Sequence, residues 1–330
     1  AGGSQNAVKK TPPLTWKGDR NKAKQGIDAL LKACDKHGFT TNEQKAAYEA
    51  QFSQDILVLD QEIEDEFPEV ICLISTPKVS TEYLQHFPNL RLIFTLSSGV
   101  NQMPFDYLKQ KNILLANSRG MHAEFMSEHA LAMILSHTRG LRRAERSQMA
   151  HCWSHGEMML ETVFGRQLCI VGSGAVGRTL ASKAVALGMT VTGVSRTGKM
   201  QKNFKQIYKT TELHRAIAGA DIVVLLTPLT PETFHLFNHQ TFNAMKTGSY
   251  FINISRGETV DEAALLENLI NGKLAFAGLD VFKHEPLTFD SPFWDLPNVL
   301  ITPHRAGDIS DYLSRAMAMF SDVFSDFIQG

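Results

Sequence analysis

The chain has 330 residues, 43% of them hydrophobic and 20% charged, with a formal net charge of −1. That length accommodates two domains, and the composition excludes a disordered chain and a strongly basic nucleic-acid binder. No apolar run reaches the roughly 18–20 residues of a membrane span, and no basic segment followed by an apolar core opens the chain, so a cytoplasmic protein with neither membrane nor nucleic-acid partner is expected.

The opening "AGGSQNAVKK" is small and polar and stays outside the fold argument. From Pro12 to Leu115 the pattern mixes a helical segment, "NKAKQGIDALLKACDKHG", with strand-like "VICLIS", "LRLIFTL" and "NILLAN", which is one α/β unit. Cys34, Cys72, Cys152 and Cys169 show no C-x-x-C spacing, and two of them sit in apolar runs, as small core residues of a reducing compartment would. A long amphipathic pattern, "AEFMSEHALAMILSHTRGLRRAERSQ", then predicts a helix able to join two domains or two subunits. In "HCWSH", His151 and His155 stand four apart, but no separate ligand set completes a metal site and none is expected.

From Gln167 strands and helices alternate: "QLCIVG", "MTVTGVS", "DIVVLLTP", "YFINIS", "AFAGLDV" and "VLITPH" are apolar almost throughout, as strands of a parallel sheet covered on both faces are. The first is followed by Gly172, Ser173, Gly174, Ala175, Val176 and Gly177, a G-x-G-x-x-G between strand and helix. Gly172 permits the tight turn, Gly174 lets a pyrophosphate approach the backbone, and Gly177 lets helix and strand pack closely; the amides around Ala175 and Val176 face the phosphates. This is a dinucleotide fingerprint. About twenty residues later, where a carboxylate would bond an adenosine ribose, stands "VSRTGK". Ser195, Arg196 and Thr197, with Lys199 beyond, suit a 2′-phosphate instead, so NADP(H) is expected over NAD(H).

Three polar motifs close successive strands. "NISRG" contributes Arg256, "LDVFKHEP" contributes Asp280 and Glu285, and "ITPHRAG" contributes His304. An arginine can grip a substrate carboxylate, a histidine can exchange a proton with the α-oxygen, and a glutamate can hold the imidazole in its protonated form.

From about Ile71 to Phe327 the chain resembles the D-2-hydroxyacid dehydrogenases, whose motifs "GSGAVG", "LLTPLTPET", "NISRG", "LDVFKHEP" and "TPHRAG" follow here in order. The resemblance implies an α/β protein of two doubly wound Rossmann-like domains. A nucleotide domain of residues 117–304, carrying a dimerisation helix near Ala123 to Arg139, would be inserted in a discontinuous flavodoxin-like substrate domain of residues 1–116 and 305–330, with a cleft that closes on substrate. It implies reduction of a 2-oxoacid to a D-2-hydroxyacid by a homodimer, with Arg256 orienting the acid and Glu285 and His304 as the acid/base pair. Asp280 would meet the nicotinamide carboxamide, Ile254 would lie near that ring, and Thr227 and Pro228 near adenosine. Backbone amides around Ser98, Gly99 and Val100 would meet the carboxylate.

Some departures narrow the reading. Relatives that oxidise formate use glutamine where Glu285 stands, and animal hydroxypyruvate reductases carry a tryptophan where Gly156 stands. Glyoxylate and hydroxypyruvate are the expected substrates, with larger 2-oxoacids as rivals. A non-catalytic dinucleotide-sensing corepressor is the alternative function.

Overall fold

The computed structural model describes Phe67 and residues 70–97, 99–100, 102–153 and 160–329. Ser98, His155, Gly156 and the helical segment expected near residues 21–38 lie outside them. The described residues form two compact units, one up to Ser118 and again from Ser310, the other from Arg119 to Ile309. The return to the first unit comes five residues later than the expected 305. The cause is local: the amides of Arg305 and Ala306 donate to the Asp280 carboxylate at 2.9 Å each, which keeps them with the second unit.

In the first unit β1 (Cys72–Ser75), β2 (Leu92–Thr95) and β3 (Leu114–Asn117) form a parallel sheet in the order β1-β2-β3. The connections carry α1 (Thr81–Gln85) and α2 (Phe105–Gln110). Alternate residues face opposite sides, as a strand's period of two requires. Leu73 and Ile93 pack with Leu84, Met103 and Leu108 on one face, and Ile74 and Phe94 meet Met317 and Phe320 of α9 (Tyr312–Gln329) on the other. The Tyr312 hydroxyl pins that helix by donating to the Leu96 carbonyl. Just beyond β2 the Gly99 amide donates to Ser97 Oγ at 3.2 Å.

The second unit opens with α3 (Ala123–Thr138) and α4 (Leu141–Met149). The single long pattern breaks because Gly140 between them takes φ +64°, a left-handed conformation that ends a helix. Then come β4 (Gln167–Val171), α5 (Ala175–Ala186), β5 (Thr190–Ser195), β6 (Gln206–Lys209), α6 (Leu213–Ile217), β7 (Ile222–Leu225), α7 (His239–Ala244), β8 (Ser249–Asn253), α8 (Glu262–Ile270), β9 (Leu274–Leu279) and β10 (Val299–Ile301). All seven strands are parallel, in the order β10-β9-β8-β7-β4-β5-β6. The chain runs outward from β4 to β6, returns to β7 beside β4, and runs out the other way. That is a doubly wound Rossmann-like sheet, with its switch point between β4 and β7.

Each face has its own core. Leu168, Ile170, Ile222, Val224 and Ile252 pack under α3 and α5; Cys169, Val171, Val223, Leu225 and Phe251 pack under α6, α7 and α8. Burying a leucine- or isoleucine-sized side chain contributes about 1.5–3 kcal/mol, and parallel strands so covered need the continuous apolar runs the sequence shows. Lys183 of α5 adds ion pairs to Glu124 at 3.0 Å and Glu128 at 2.9 Å, tying α5 to α3 across the sheet's outer layer.

Candidate active site

The strand register gathers the chemistry. Val171 pairs with Val194 and Leu225, Leu225 with Asn253, Asn253 with Leu279, and Leu279 with Ile301. These residues therefore form one row across the sheet, and whatever follows each leaves the same carboxyl edge. Gly172, Ser195, Thr227, Ile254, Asp280 and His304 all stand within three residues of that row. In open α/β sheets this edge, at the switch point, is where ligands bind.

At the first crossing Gly172 holds φ +112°, and a Cβ on it would come within 2.8 Å of Leu226 backbone atoms. A Cβ on Gly177 would meet the Gly172 carbonyl oxygen at 2.3 Å, so α5 packs against the turn only because no side chain intervenes. Around Gly174, which caps α5 with no side-chain bond, a Cβ would meet nothing within 4 Å. Three glycines thus have three separate uses: a left-handed turn, a close contact, and an open backbone before a helix N-terminus. Ser173 is buried and accepts a hydrogen bond from Gln201 Nε2 at 3.1 Å. The Thr227 hydroxyl is buried and finds no partner among the described residues. An open helix N-terminus and an orphaned hydroxyl at a switch point fit the pyrophosphate of a dinucleotide.

Beyond β5, Ser195 Oγ accepts from the Gly198 amide at 3.1 Å and Thr197 Oγ1 from the Lys199 amide at 3.3 Å, which shapes the turn. Arg196 is exposed. Glu232, on the loop after Thr227 and Pro228, lies below its ordinary range because the Thr230 hydroxyl and its own amide bond it, with the Arg196 charge as the weakest contribution. Opposite charges are thus within reach of each other at this end of the edge.

Arg256 is set by a bracket of hydrogen bonds. Its carbonyl accepts from Asn253 Nδ2 at 3.1 Å and Thr259 Oγ1 at 2.6 Å, while Asn253 Oδ1 takes the Ser255 amide at 3.0 Å and hydroxyl at 2.8 Å. The guanidinium is half-buried and donates to the Ser255 carbonyl at 2.7 Å. A Cβ on Gly257 would stand 1.9 Å from the Phe282 carbonyl carbon, so the Arg256 loop lies directly against the segment that carries Glu285.

His304 Nδ1 lies 2.7 Å from Glu285 Oε2, and Glu285 Oε1 accepts the Phe282 amide at 2.9 Å. With Nδ1 engaged by the carboxylate, Nε2 is the nitrogen available to a substrate. His304 itself holds φ +53°, a conformation that costs a non-glycine residue about 1–2 kcal/mol. Asp280 offsets that strain. Its carbonyl accepts the His304 amide at 2.8 Å, and its carboxylate, 1% exposed, takes the Arg305 and Ala306 amides and the Thr302 hydroxyl. Asp280, expected beside a nicotinamide, uses both carboxylate oxygens on the segment that presents His304.

The family model described as "D-isomer specific 2-hydroxyacid dehydrogenase, NAD binding domain" matches residues 131–306, more than half of the chain. The chain belongs to the D-isomer specific 2-hydroxyacid dehydrogenase family. It is 35% identical over 234 residues to a glyoxylate/hydroxypyruvate reductase B of Klebsiella pneumoniae, covering 70% of this chain and 72% of that one. To a D-3-phosphoglycerate dehydrogenase of Archaeoglobus fulgidus it is 31% identical over 256 residues, 77% of this chain but 49% of that longer protein. Among solved structures, a D-isomer specific 2-hydroxyacid dehydrogenase of Xanthobacter autotrophicus Py2, in complex with NADPH and MES, superposes with a TM-score of 0.70 at 30% identity, over 82% of this chain and 84% of that one.

Membership makes this chain an NAD(P)-dependent oxidoreductase acting on 2-hydroxyacids. Asn253, Thr302 and Gln201, which the sequence does not single out, make bonds that position Arg256, Asp280 and Ser173. Thr302 stands two residues before His304 and Asn253 three before Arg256, but nothing in a one-dimensional pattern distinguishes a bracketing polar residue from a solvated one.

Proposed function

We propose that the chain is an NADPH-preferring reductase of short 2-oxoacids such as glyoxylate and hydroxypyruvate, giving the D-2-hydroxyacid, and works as a cytoplasmic homodimer. The observation that carries this reading is the His304–Glu285 pair, 2.7 Å apart, on the same sheet edge as an arginine loop and a glycine turn.

Bound NADPH supplies the hydride that reduces the carbonyl carbon. The chain's own residues do the rest. Gly172 to Gly177 and Thr227 hold the dinucleotide, with Pro228 beside the adenosine and the Ile254 backbone near the nicotinamide. Arg256 takes the substrate carboxylate by paired N–H bonds, which fixes the orientation of the carbonyl. His304 delivers its Nε2 proton to the carbonyl oxygen, and Glu285, engaging Nδ1, holds the ring so that Nε2 is the nitrogen that faces the substrate.

The cofactor preference rests on β5 ending at Ser195 and being followed by Arg196 and Thr197, with no carboxylate among the three, and on Arg196 being exposed to receive a 2′-phosphate. Support for a dimer comes from α4, which has no buried residue, and from the apolar surface of Leu141, Met149 and Trp153, the last 92% exposed. The corepressor alternative has no observation in its favour beside an intact acid/base pair.

The test is oxidation of NADPH and NADH, followed by absorbance, against a panel from glyoxylate and hydroxypyruvate to 2-ketoisocaproate and phenylpyruvate, with Arg196→Ala alongside. We expect the smallest acids to rank first and a preference for NADPH that the variant loses by about tenfold or more, the worth of one charge-assisted bond. Equal rates with NADH would refute the cofactor assignment, and no turnover of any acid would refute the reductase.

A further inference from the structure

One polar side chain near the acid/base pair belongs to neither the pair nor the glycine turn. His129 lies on α3, and its Nε2 is 3.0 Å from Thr302 Oγ1 and 3.7 Å from Asp280 Oδ1. Thr302 has one hydroxyl proton, and the geometry has that O–H donate to Asp280 Oδ1. The hydroxyl oxygen can therefore only accept from His129, so Nε2 carries a proton and acts as the donor. The Asp280 carboxylate then passes to the Arg305 and Ala306 amides. A continuous chain runs from a helix in the outer layer to the two residues after His304, whose own backbone is held at φ +53°.

We propose that His129 is a positioning residue for the reaction: through Thr302 and Asp280 it fixes the backbone turn that presents His304 to the substrate. Two features point this way. First, the carboxylate is 1% exposed, and its Thr302 donor is left without the N–H that orients the hydroxyl when His129 is removed. Second, His129 is an outer partner that binds neither reacting group, yet every bond between it and His304 is made to a polar atom of the same edge. Outer partners of this kind commonly alter activity by about 10–100-fold when removed. The inference rests on His304 being the proton donor.

The experiment compares the wild-type enzyme with His129→Leu, His129→Gln, Thr302→Val and the His129→Leu/Thr302→Val pair. Glutamine can place an N–H near the position of the imidazole Nε2–H, whereas leucine cannot. We expect His129→Leu to lower kcat about tenfold or more with the KM for NADPH within about twofold. Glutamine should restore most of kcat, and the pair should lose no more than Thr302→Val alone, since both changes cut one chain.

Hydrogen exchange of the Arg305 and Ala306 amides, measured without substrate, gives a readout independent of turnover: both should exchange faster in His129→Leu and return in His129→Gln. Should the wild type reduce no 2-oxoacid, the exchange result still decides whether His129 holds the turn, while the proton-donor reading fails by itself. A leucine variant with wild-type kcat and protected amides would overturn the inference. So would a loss of kcat that glutamine fails to rescue and that tracks an equal loss of cofactor affinity and thermal stability. If His129→Leu does not fold, Thr302→Val carries the same comparison, and unchanged exchange at Arg305 and Ala306 in that variant would overturn it as well.

Discussion

His304 is held in two ways, by Glu285 on its ring and by Asp280 on its backbone, and the two are separable. Glutamine at position 285 keeps an oxygen for the Phe282 amide and a polar atom for the imidazole, but removes the charge from the 2.7 Å contact with Nδ1. Charged hydrogen bonds are worth about 1.5–3 kcal/mol, and this pair is partly exposed, with side-chain exposures of 46% and 35%, so the lower end applies. Glu285→Gln should therefore lower kcat for reduction about tenfold, while the KM for NADPH stays close to wild type. Steady-state kinetics with a saturating 2-oxoacid check it; a kcat within about twofold of wild type would mean that the charge of Glu285 adds nothing to its hold on the ring. The types and places of Arg256, Glu285 and His304 were legible in the sequence, because a charged residue just past an apolar run marks the carboxyl edge of a strand. The work of Asp280 was not. A carboxylate after a strand can face a ligand or its own chain, and here the pairing of Leu279 with Ile301 brings the Thr302-to-Ala306 turn beside it.

At the level of elements, α5 shows how one sequence motif mixes binding with packing. Gly174 and Gly177 belong to the same G-x-G-x-x-G, yet an added Cβ meets nothing within 4 Å at the first and the Gly172 carbonyl oxygen at 2.3 Å at the second. Gly177→Ala should accordingly destabilise the apoprotein by about 1–3 kcal/mol through overpacking. Gly174→Ala should leave stability within about 1 kcal/mol, since the smaller entropy of the unfolded chain offsets the substitution, but weaken NADPH binding by crowding the phosphates. Thermal unfolding of the apoprotein and titration with NADPH distinguish the two; equal loss of stability in both variants would refute the division of labour. Elements with strong apolar periodicity were readable, whereas β6 was not. Of its four residues only Ile207 is buried, as befits an edge strand, and "QIYK" carries no signal that separates it from a basic loop. The break between α3 and α4 likewise hides in a single glycine, whose positive φ a periodic pattern does not register.

Across the whole molecule, the chain's path explains why motifs far apart in sequence share one unit. Among the described residues, the two cores of the Rossmann-like sheet draw every buried member from between Ala130 and Ala306, and all the proposed dinucleotide contacts fall in the same span. A unit with its own two-sided core meets the physical requirement for independent folding. We therefore expect the excised segment 119–309 to fold cooperatively and to bind NADPH. Binding to the native form alone stabilises by about 2.7 kcal/mol at a ligand concentration of 100 times Kd, or roughly 5–10 °C in Tm for a domain of this size. The check is circular dichroism with thermal melts at increasing NADPH, using Gly174→Ala in the same segment as a control for specific binding. A cooperative melt that NADPH raises and the control does not would assign the cofactor to this unit alone. A segment that melts without cooperativity would show that the residues before Ser118 or after Ser310 complete the nucleotide fold, and the division of the chain would have to be redrawn.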